Sequence, residues 1–369
     1  MITAIFLLFY ALLILFYWRA WNKLEYYNPS SPVDKRFISV IIPARNEEEN
    51  IPLLLEALSQ QTYPENFFEI IIVDDFSSDG TAEAIRNFRL SNLVSIQPEI
   101  SPSSSSKKKA IETGIKKAKG ELIVTTDADC IPSKKWIETI NNFYVKNDAA
   151  FIAAPVKFSH DNSFLQIFQS LDFLTLQGIT AASVSANFHT MCNGANLAYK
   201  KEAFQNVNGF KGVDKVATGD DMLLMYKIWK KYPNGVFYLK NKDAIVTSQP
   251  MLSWKNFFWQ RKRWASKTLV YDDYRIIAVL AFVYLLNCLF IALIVASLFN
   301  SFYWWYILGF WLLKTIIEFP FVFSVAKFYN EQKLVNFLFF FQPFHIFYTV
   351  FVGLLSQFGK YEWKGRKTK

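Results

Sequence analysis

Cysteine and histidine are scarce in this sequence, the glycine-rich phosphate-binding loops are missing, and each absence excludes a class of chemistry. The 369 residues include three cysteines and three histidines, scattered along the chain. They form no metal-binding motif and no disulfide framework. Neither a P-loop nor a Gly-x-Gly-x-x-Gly fingerprint occurs, so a phosphate ligand would have to be bound in another way. Because no basic and aromatic stripe belongs to a nucleic-acid-binding module, we expect no nucleic-acid partner.

Apolar residues, by contrast, are abundant, and the excess lies at the two ends of the chain. They make up 52% of the sequence, and aromatic residues make up 18%. Residues 2–18 carry no charge and are just long enough to cross a bilayer. No basic residue precedes them and no small-residue cleavage site follows, so residues 1–22 predict a retained anchor rather than a signal peptide. Residues 276–358 predict a C-terminal membrane region, with candidate spans at 276–299, 302–326 and 334–358.

Basic residues beside the apolar stretches predict the orientation of the chain. Arg19 and Lys23 follow the first stretch, which places the middle of the chain in the cytoplasm by the positive-inside tendency. Four full spans would then put the basic tail, residues 359–369, outside. Two alternatives stay open: the last stretch is re-entrant and bends at Gln342-Pro343, or the tendency fails here.

The net charge of the chain has two interpretations, and so does a pair of charged residues inside an apolar stretch. The net charge of +9 serves contact with anionic headgroups or with phosphates in a site. Lys314 and Glu318 are four residues apart inside an apolar stretch, so they share a helix face. They form either a salt bridge screened from lipid or part of a functional site.

Between the apolar ends, β-branched runs alternate with segments of helical periodicity over residues 35–250. Strands are predicted at 37–42, 69–73 and 122–126, and helices around 53–58, 81–88 and 107–119. This alternation predicts an α/β domain with a mostly parallel sheet. Ligands of such sheets bind beyond the carboxyl ends of the strands.

Acidic clusters follow two of the predicted strands at that edge of the sheet. Asp74-Asp75 follows the second strand, and Asp127-Ala128-Asp129 follows the third. An Asp-x-Asp pair suits Mg²⁺ or Mn²⁺ shared with a diphosphate, although Asp is also common in plain turns. The loop after the first strand should lie at the same edge; its candidate ligand-binding residues are Pro43, Asn46 and Glu47.

Two later loops each have a functional and a structural interpretation. Asp220-Asp221 precedes an apolar-periodic helix, where a carboxylate either deprotonates an acceptor hydroxyl or simply complements the helix dipole. Asn193-Gly194-Ala195-Asn196 predicts a tight turn entering a strand. Gly194 and Asn196 there either allow close approach of a ligand or form an ordinary hairpin turn.

The most specific local pattern is Gln260-Arg261-Lys262-Arg263-Trp264, inside a predicted amphipathic interfacial segment at 251–270. Gln260, Arg263 and Trp264 share one helix face. Arg263 offers a planar charged fork for a diphosphate, and Trp264 offers a flat face for a sugar ring. A plain interfacial helix is the alternative, since Trp254 and other aromatic residues precede the pattern.

Together these motifs resemble those of inverting, membrane-bound family 2 glycosyltransferases with a GT-A fold. Val73 to Thr81 resembles the family's base-binding motif, with Phe76 in place of the usual glycine. Gln-x-x-Arg-Trp is shared by cellulose, chitin, hyaluronan and poly-N-acetylglucosamine synthases and by ceramide glucosyltransferases. The resemblance implies these roles: Asp75 for uracil, Lys107 for the donor, Asp129 with Asp127 for a divalent metal, and Asp221 as the base.

The resemblance implies a Rossmann-like GT-A domain in the cytoplasm, flanked by transmembrane helices in a bacterial plasma membrane. The implied reaction transfers a sugar from a UDP-sugar to a hydroxyl of a growing polysaccharide or a membrane lipid, with Mg²⁺ or Mn²⁺. Membrane lipids and membrane or export subunits are the further expected partners. Two alternatives remain: a single-sugar transferase that forms a glycolipid, and a catalytically silent membrane scaffold that binds nucleotide-sugar or polymer.

Overall fold

The computed structural model describes residues 2–29, 33–99, 106–161, 163–189, 191–213, 219–266 and 272–356, with the backbone of 361–363 and 366–368. The end of the predicted interfacial segment, 267–270, lies outside the described residues. The same holds for the side chains of the basic tail, 359–369.

The described part of the chain alternates strands and helices in its middle and has long helices at both ends. The helices are α1 (Ile2–Lys23), α2 (Ile51–Ser59), α3 (Thr81–Asn87), α4 (Lys107–Lys117), α5 (Trp136–Asn147), α6 (Phe164–Ser185), α7 (Lys201–Asn206), α8 (Met222–Lys231), α9 (Trp254–Ala265), α10 (Tyr274–Ser297), α11 (Tyr303–Tyr329) and α12 (Leu338–Leu355). The strands are β1 (Ile38–Ala44), β2 (Phe68–Asp74), β3 (Leu93–Ile96), β4 (Leu122–Thr125), β5 (Cys130–Pro132), β6 (Phe151–Ala153), β7 (Val156–Phe158), β8 (Leu197–Lys200), β9 (Val236–Tyr238), β10 (Val246–Ser248), β11 (Tyr361–Trp363) and β12 (Arg366–Thr368). Short 3₁₀ helices lie at Glu65–Phe67, Lys242–Ala244 and Gln332–Phe337.

The central sheet has seven strands in the order β3-β2-β1-β4-β8-β6-β9. β3, β2, β1 and β4 are parallel, and β8 runs antiparallel to β4 and β6. This confirms the predicted α/β architecture with a mostly parallel sheet. A smaller sheet has the order β5-β10-β7.

The prediction that the first strand stops before Pro43 is wrong. β1 continues to Ala44, and Pro43 pairs with Val73 of β2. On its other side β1 pairs with β4 only from Ile38 to Ile41. Proline is therefore tolerated in β1 because it lies where one side of the strand has no ladder to complete.

Both faces of the sheet are covered by helices, which explains why the strands are almost continuously apolar. On one face Ile41 belongs to the same buried cluster as Ile111 of α4. On the other face Val40 and Ile42 belong to a cluster with Leu55 of α2. Each fully buried aliphatic side chain contributes about 1.5–3 kcal/mol to folding. This packing fixes the loops at the carboxyl ends of β1, β2 and β4.

Four described helices are long and apolar enough to cross a membrane: α1, α10, α11 and the helical stretch that ends with α12. Lys314 of α11 donates hydrogen bonds to Glu318 at 2.5 Å and to Gln342 of α12 at 2.8 Å. The Tyr10 hydroxyl of α1 also donates to Glu318. These contacts support the salt-bridge interpretation, because the pair joins three helices in their buried interior.

The C-terminal helices are attached to the α/β domain at several points. Glu331, just after α11, lies 3.2 Å from both Lys157 and His160. α12 is one helix that contains Pro343, and it packs against α9. The backbone of β11 also lies beside α9. The chain after α12 therefore returns to the side of the molecule on which α9 lies.

Candidate active site

A cavity of about 1230 Å³ opens at the carboxyl ends of β1, β2 and β4 and extends among α1, α6, α9, α10 and α12. The structure brings most of the predicted site residues to it. Those that line it are Pro43, Asn46, Glu47, Asp75, Lys107, Asp127, Asp129, Gly194, Asp220, Asp221, Gln260, Arg263 and Trp264. Asp74 and Asn196 are the two predicted residues that do not line it.

Two parts of the lining differ in the elements that form them. We call the first the sheet wall; it consists of Arg45, Asn46, Glu47, Asp75, Asp127 and Asp129. We call the second the helix wall; it consists of Asp172, Gln260, Arg261, Arg263, Trp264, His345 and Tyr348. The sheet wall belongs to loops after parallel strands, and the helix wall belongs to α6, α9 and α12.

The loops of the sheet wall are bonded to one another. Asn46 has a left-handed backbone (φ 52°), and its N–H donates to Ser77 Oγ at 3.0 Å. Its side-chain Oδ1 accepts from the N–H of Ser78 at 2.9 Å. The N–H of Glu47 donates to Thr81 Oγ1 at 2.8 Å. Asn46 and Glu47 therefore fix the shape of the loop, and their polar bonds hold it against the turn after β2.

Asp74 and Asp75 have different roles in the turn after β2. Asp74 is buried, and its Oδ1 accepts from the N–H of Ser77 at 3.0 Å. Asp74, predicted as a ligand-binding residue, does not line the cavity, and its carboxylate shapes the turn. Asp75 lines the cavity, and its N–H donates to Ala44 O at 2.8 Å. Arg45 supports the same turn by donating to the carbonyl of Asp75 at 2.5 Å.

Lys107 joins the Asp-x-Asp loop to the Asp220 loop. Its Nζ lies 2.6 Å from Asp127 Oδ1 and 3.1 Å from Asp220 Oδ2. Burial alone would lower the pKa of Lys107, but the two carboxylates outweigh it and raise the pKa above its ordinary value. The ammonium therefore stays charged at neutral pH. Lys107 stands at the first position of α4, whose N-cap is Ser106.

Asp221 is held at the start of α8 as its N-cap. Its Oδ1 accepts from the N–H of Met222 at 2.8 Å, and its Oδ2 accepts from the N–H of Gly194 at 3.3 Å. A Cβ on Gly194 would lie only 3.1 Å from Lys107 Nζ and 3.2 Å from Asp220 Oδ2. Glycine at this position therefore leaves room for the Lys107–Asp220 pair, which gives the predicted tight turn a packing reason.

Asn196, predicted as a ligand-binding residue, does not line the cavity, and its side chain is fully buried. Its Nδ2 donates to the carbonyls of Pro155 and Ala244, each at 2.8 Å, and its Oδ1 accepts from Trp136 Nε1 at 2.9 Å. Because its donors and its acceptor are all used in this way, the amide holds these neighbouring segments of the chain together. Sequence reasoning could not separate this role from ligand binding, because both roles place an asparagine in a turn.

The Asp-x-Asp carboxylates have the chemistry of a hard-cation site. Asp127 and Asp129 both line the cavity, and carboxylate oxygens are the ligands that Mg²⁺ and Mn²⁺ take. Among the described residues no three acidic, histidine or cysteine side chains form a cluster that would hold a metal alone. The two carboxylates therefore fit an ion whose remaining ligands come from a phosphorylated substrate and water.

The helix wall contains a buried ion pair that the sequence analysis missed. Arg261 Nη2 lies 2.7 Å from Asp172 Oδ2, and both side chains are at most 4% exposed. The Arg261 guanidinium also lies over two rings, 4.3 Å from the Trp264 centroid and 5.1 Å from the Phe257 centroid. Asp172 is the only charged residue between 162 and 199, which is a signal that a buried carboxylate needs a partner.

Asp172 also accepts a hydrogen bond from a residue of α12. Tyr348 donates its hydroxyl hydrogen to Asp172 Oδ1 at 3.1 Å, and His345 Nε2 lies 3.5 Å from the same oxygen. Burial alone would raise the pKa of Asp172, but Arg261, His345 and Tyr348 outweigh it and lower the pKa below its ordinary value. One ionised carboxylate thus connects α6, α9 and α12 on the cavity lining.

The fold and the site define an α/β domain of the GT-A type, and comparison with known proteins shows which family its sequence resembles. Residues 39–207 match the family described as "Glycosyl transferase family 2". The match covers a little under half of the chain. The matched region contains the sheet wall, Lys107 and Gly194; it ends before Asp221 and α9.

Relatives that match this chain are named as a glycosyltransferase and as a polysaccharide synthase. Glycosyltransferase AglE of Haloferax volcanii is 29% identical over 177 residues, which cover 47% of this chain and 56% of that protein. Poly-beta-1,6-N-acetyl-D-glucosamine synthase of Staphylococcus epidermidis is 25% identical over 237 residues, which cover 60% of this chain and 56% of that protein. This chain thus spans little more than half the length of these relatives.

The fold extends beyond the matched region. The solved mannosyltransferase PcManGT from Pyrobaculum calidifontis, in complex with GDP-Man and Mn²⁺, is 18% identical and has a TM-score of 0.57. The likeness covers 96% of this chain and 98% of that one. At this identity the likeness concerns the fold. It includes the helices at both ends as well as the central sheet.

Proposed function

We propose that this protein transfers a sugar from a nucleotide-sugar, with UDP-sugars as the expected donors, to a hydroxyl of an acceptor held in the membrane. The observation that carries this proposal is the continuity of the cavity. One space is lined by Asp75, Asp127, Asp129 and Asp221 and also by α1, α10 and α12. A water-soluble donor and a membrane-held acceptor can therefore meet in it.

Asp221 is the proposed general base of an inverting displacement. Its carboxylate accepts from Met222 and Gly194 and lines the cavity, where an acceptor hydroxyl can approach it. In this reaction the base removes the proton of the acceptor hydroxyl, and the hydroxyl oxygen attacks the sugar directly. No covalent intermediate forms on the protein, and the single displacement inverts the anomeric carbon. The two backbone donors fix the direction in which this carboxylate points.

Lys107 and the Asp-x-Asp pair are proposed to act on the leaving nucleoside diphosphate. Asp127 and Asp129 would hold a divalent ion, Mg²⁺ or Mn²⁺, whose chemistry is neutralisation of the charge that develops on the diphosphate. The ammonium of Lys107, 2.6 Å from Asp127, adds a fixed positive charge at the same place. Arg263 and Gln260 approach from α9, and Gln260 Oε1 is buried with no hydrogen-bond partner among the described residues.

The membrane part of the cavity favours a lipid acceptor. Its lining there is mainly aliphatic, with Leu13, Ile14, Ile276, Leu280, Val283 and Val352. A lipid tail is compatible with such a lining, whereas a sugar polymer needs hydrogen-bonding partners along its path. The acceptor we propose is therefore a lipid whose hydroxylated head reaches Asp221.

Polymer extension is a second candidate, favoured by one relative whose printed name is a polysaccharide synthase. The aromatic and polar residues of the helix wall, among them Trp264 and Tyr348, would suit a short stretch of sugar. Sizing the product separates the two candidates: one added sugar supports the lipid acceptor, and a ladder of sizes supports extension.

The decisive experiment is a nucleotide-release screen on the full chain in proteoliposomes of bacterial total lipid extract. UDP-glucose, UDP-N-acetylglucosamine, UDP-galactose and GDP-mannose are each tested with Mg²⁺, with Mn²⁺ and with chelator. We expect metal-dependent release of UDP from one donor and labelling of the lipid fraction. Failure to release nucleotide from any donor under any of these conditions would contradict the proposal and favour the silent scaffold.

The domain and the C-terminal tail are proposed to share the cytoplasmic side. Arg19 and Lys23 at the end of α1 favour a cytoplasmic domain, and the backbone of β11 lies beside α9 of the same domain. A cysteine placed at the tail should resist an impermeant thiol reagent in intact cells, whereas one placed at Asn300 should react. Labelling of the tail cysteine in intact cells would indicate four full spans instead.

A further inference from the structure

We propose that Arg261 and Asp172 are a positioning pair that sets the ring of Trp264 in the sugar site. The inference rests on the proposed function, because it assigns Trp264 to the sugar. Arg261 occupies one of the variable positions of Gln-x-x-Arg-Trp, so the pattern itself assigns it no role. Its burial and its three contacts, to Asp172, Phe257 and Trp264, indicate a role within the protein rather than toward solvent.

Asp172 holds the guanidinium of Arg261, and the guanidinium in turn positions the ring of Trp264. Asp172 lies on α6 and is held by Tyr348 of α12, so its carboxylate has a defined place. The guanidinium lies 2.7 Å from that carboxylate and over the rings of Phe257 and Trp264, so charge, burial and stacking together hold it in place. Trp264 stacks on it at 4.3 Å, and the indole also contacts Phe173 of α6, with ring centroids 6.1 Å apart.

A second set of contacts keeps α9 itself in register with α6. Gln169 of α6 and Met251, just before α9, exchange hydrogen bonds of 2.8 and 3.0 Å. Phe257 packs edge-on against Phe168 of α6, with ring centroids 5.9 Å apart. Because these contacts do not involve the ion pair, removal of Arg261 should leave α9 in place while it frees the indole of Trp264.

The test compares Arg261→Met, Asp172→Asn and the double variant Asp172→Leu with Arg261→Met in the full chain. Replacing a buried ion pair by apolar side chains often preserves stability, so the double variant separates folding from positioning. In all three variants we expect kcat to fall on the order of 10- to 100-fold, because small misplacements of a binding group cost that much. The dissociation constant for UDP should stay within about twofold. Lys262→Met, which removes a positive charge from the same helix without touching the cavity, should match the wild type.

A structural readout makes the proposal independent of turnover. The protein is labelled with 5-fluorotryptophan, and the fluorine resonance of Trp264 is assigned by its loss in Trp264→Phe. In the single and double variants this resonance should shift and broaden. If the double variant recovers kcat, or if the resonance is unchanged in Arg261→Met, the pair is only structural and the proposal is wrong. If the wild type releases no nucleotide but the resonance responds, the proposed function fails while the positioning role stands.

Discussion

The sheet wall holds its side chains through hydrogen bonds between neighbouring loops, whereas the helix wall depends on one buried ion pair and on stacked rings. In the sheet wall, Asn46 and Glu47 are bonded to the turn after β2 mainly through backbone N–H groups. In the helix wall, Asp172 receives Arg261 and Tyr348 from two other helices. The bonds of the first wall join residues 31 and 34 apart in sequence, and the contacts of the second join residues 89 and 176 apart.

This difference has a consequence for how the two walls respond to change. A loop held by several backbone donors loses about 1 kcal/mol when one bond is removed. A buried ion pair loses several kcal/mol when one partner is removed, because the other charge stays buried without compensation. The sheet wall should therefore tolerate single substitutions of its polar side chains, and the helix wall should not.

The largest effect is expected for Asp221→Asn. This variant tests whether the transfer step can be lost while the binding provided by the two walls is kept. Asparagine is as good an N-cap as aspartate, so α8 should keep its stability. The amide cannot accept a proton, and we expect the transfer rate to fall on the order of 10²- to 10⁴-fold. Nucleotide release and UDP binding are measured side by side. Asp243→Asn, at an exposed site, is the matched control, and transfer that persists in Asp221→Asn would refute the base assignment.

Removal of the divalent ion should affect the sheet wall alone. Chelation is expected to lower the transfer rate by about 10²-fold or more, because charge on the leaving diphosphate is no longer neutralised. Asp129→Asn should weaken the dependence on Mn²⁺ concentration, and Asp79→Asn, in the turn after β2 and away from the cavity lining, should not. The fluorine resonance of Trp264 in the helix wall should be unchanged on chelation. A metal-independent rate in the wild type would contradict the metal assignment.

Lys107→Met tests the link between the Asp-x-Asp loop and the Asp220 loop. Without the ammonium, Asp127 and Asp220 lose their shared partner, and we expect UDP to bind about tenfold more weakly. Because the pKa of Lys107 is raised, its charge is present below its ordinary pKa and is lost only at still higher pH. The loss of UDP affinity in Lys107→Met, relative to the wild type, should therefore be constant between about pH 6 and pH 9.

The control for that variant is Lys109→Met on the same helix. Lys109 is more exposed and pairs with Glu112 at 3.0 Å, so its removal should change UDP affinity little. Equal losses in the two lysine variants would mean that general charge, rather than the bridge from Lys107, attracts the nucleotide. A loss of UDP affinity that disappears above pH 8, as it would if the wild-type Lys107 lost its charge there, would contradict the direction of the Lys107 pKa shift.

The sequence predicted the sheet wall better than the helix wall, and the reason is the range of the contacts. Asp75, Asp127 and Asp129 follow β-branched strands directly, so their place at one edge of the sheet follows from local pattern and parallel pairing. Asp74 and Asn196 show the limit of local pattern, because a residue in a turn can face either the ligand or the protein, and these two bond to the protein. Asp172 and Arg261 are 89 residues apart in sequence, and no local periodicity indicates that they meet.

The smallest effect is expected for Phe76→Gly, at a strained position in the turn after β2, next to Asp75 of the sheet wall. Phe76 has a left-handed backbone, φ 56°, which side chains other than glycine, asparagine and aspartate rarely adopt. Relief of that strain should raise stability by about 1 kcal/mol, reduced by the greater entropy of glycine in the unfolded chain. In detergent this corresponds to an increase of about 2–4 °C in Tm at most. Phe76→Ala is the matched control, because it removes the ring but keeps the Cβ that causes the strain. If alanine stabilises as much as glycine does, the ring and not the backbone is responsible, and the backbone carries no strain at this turn.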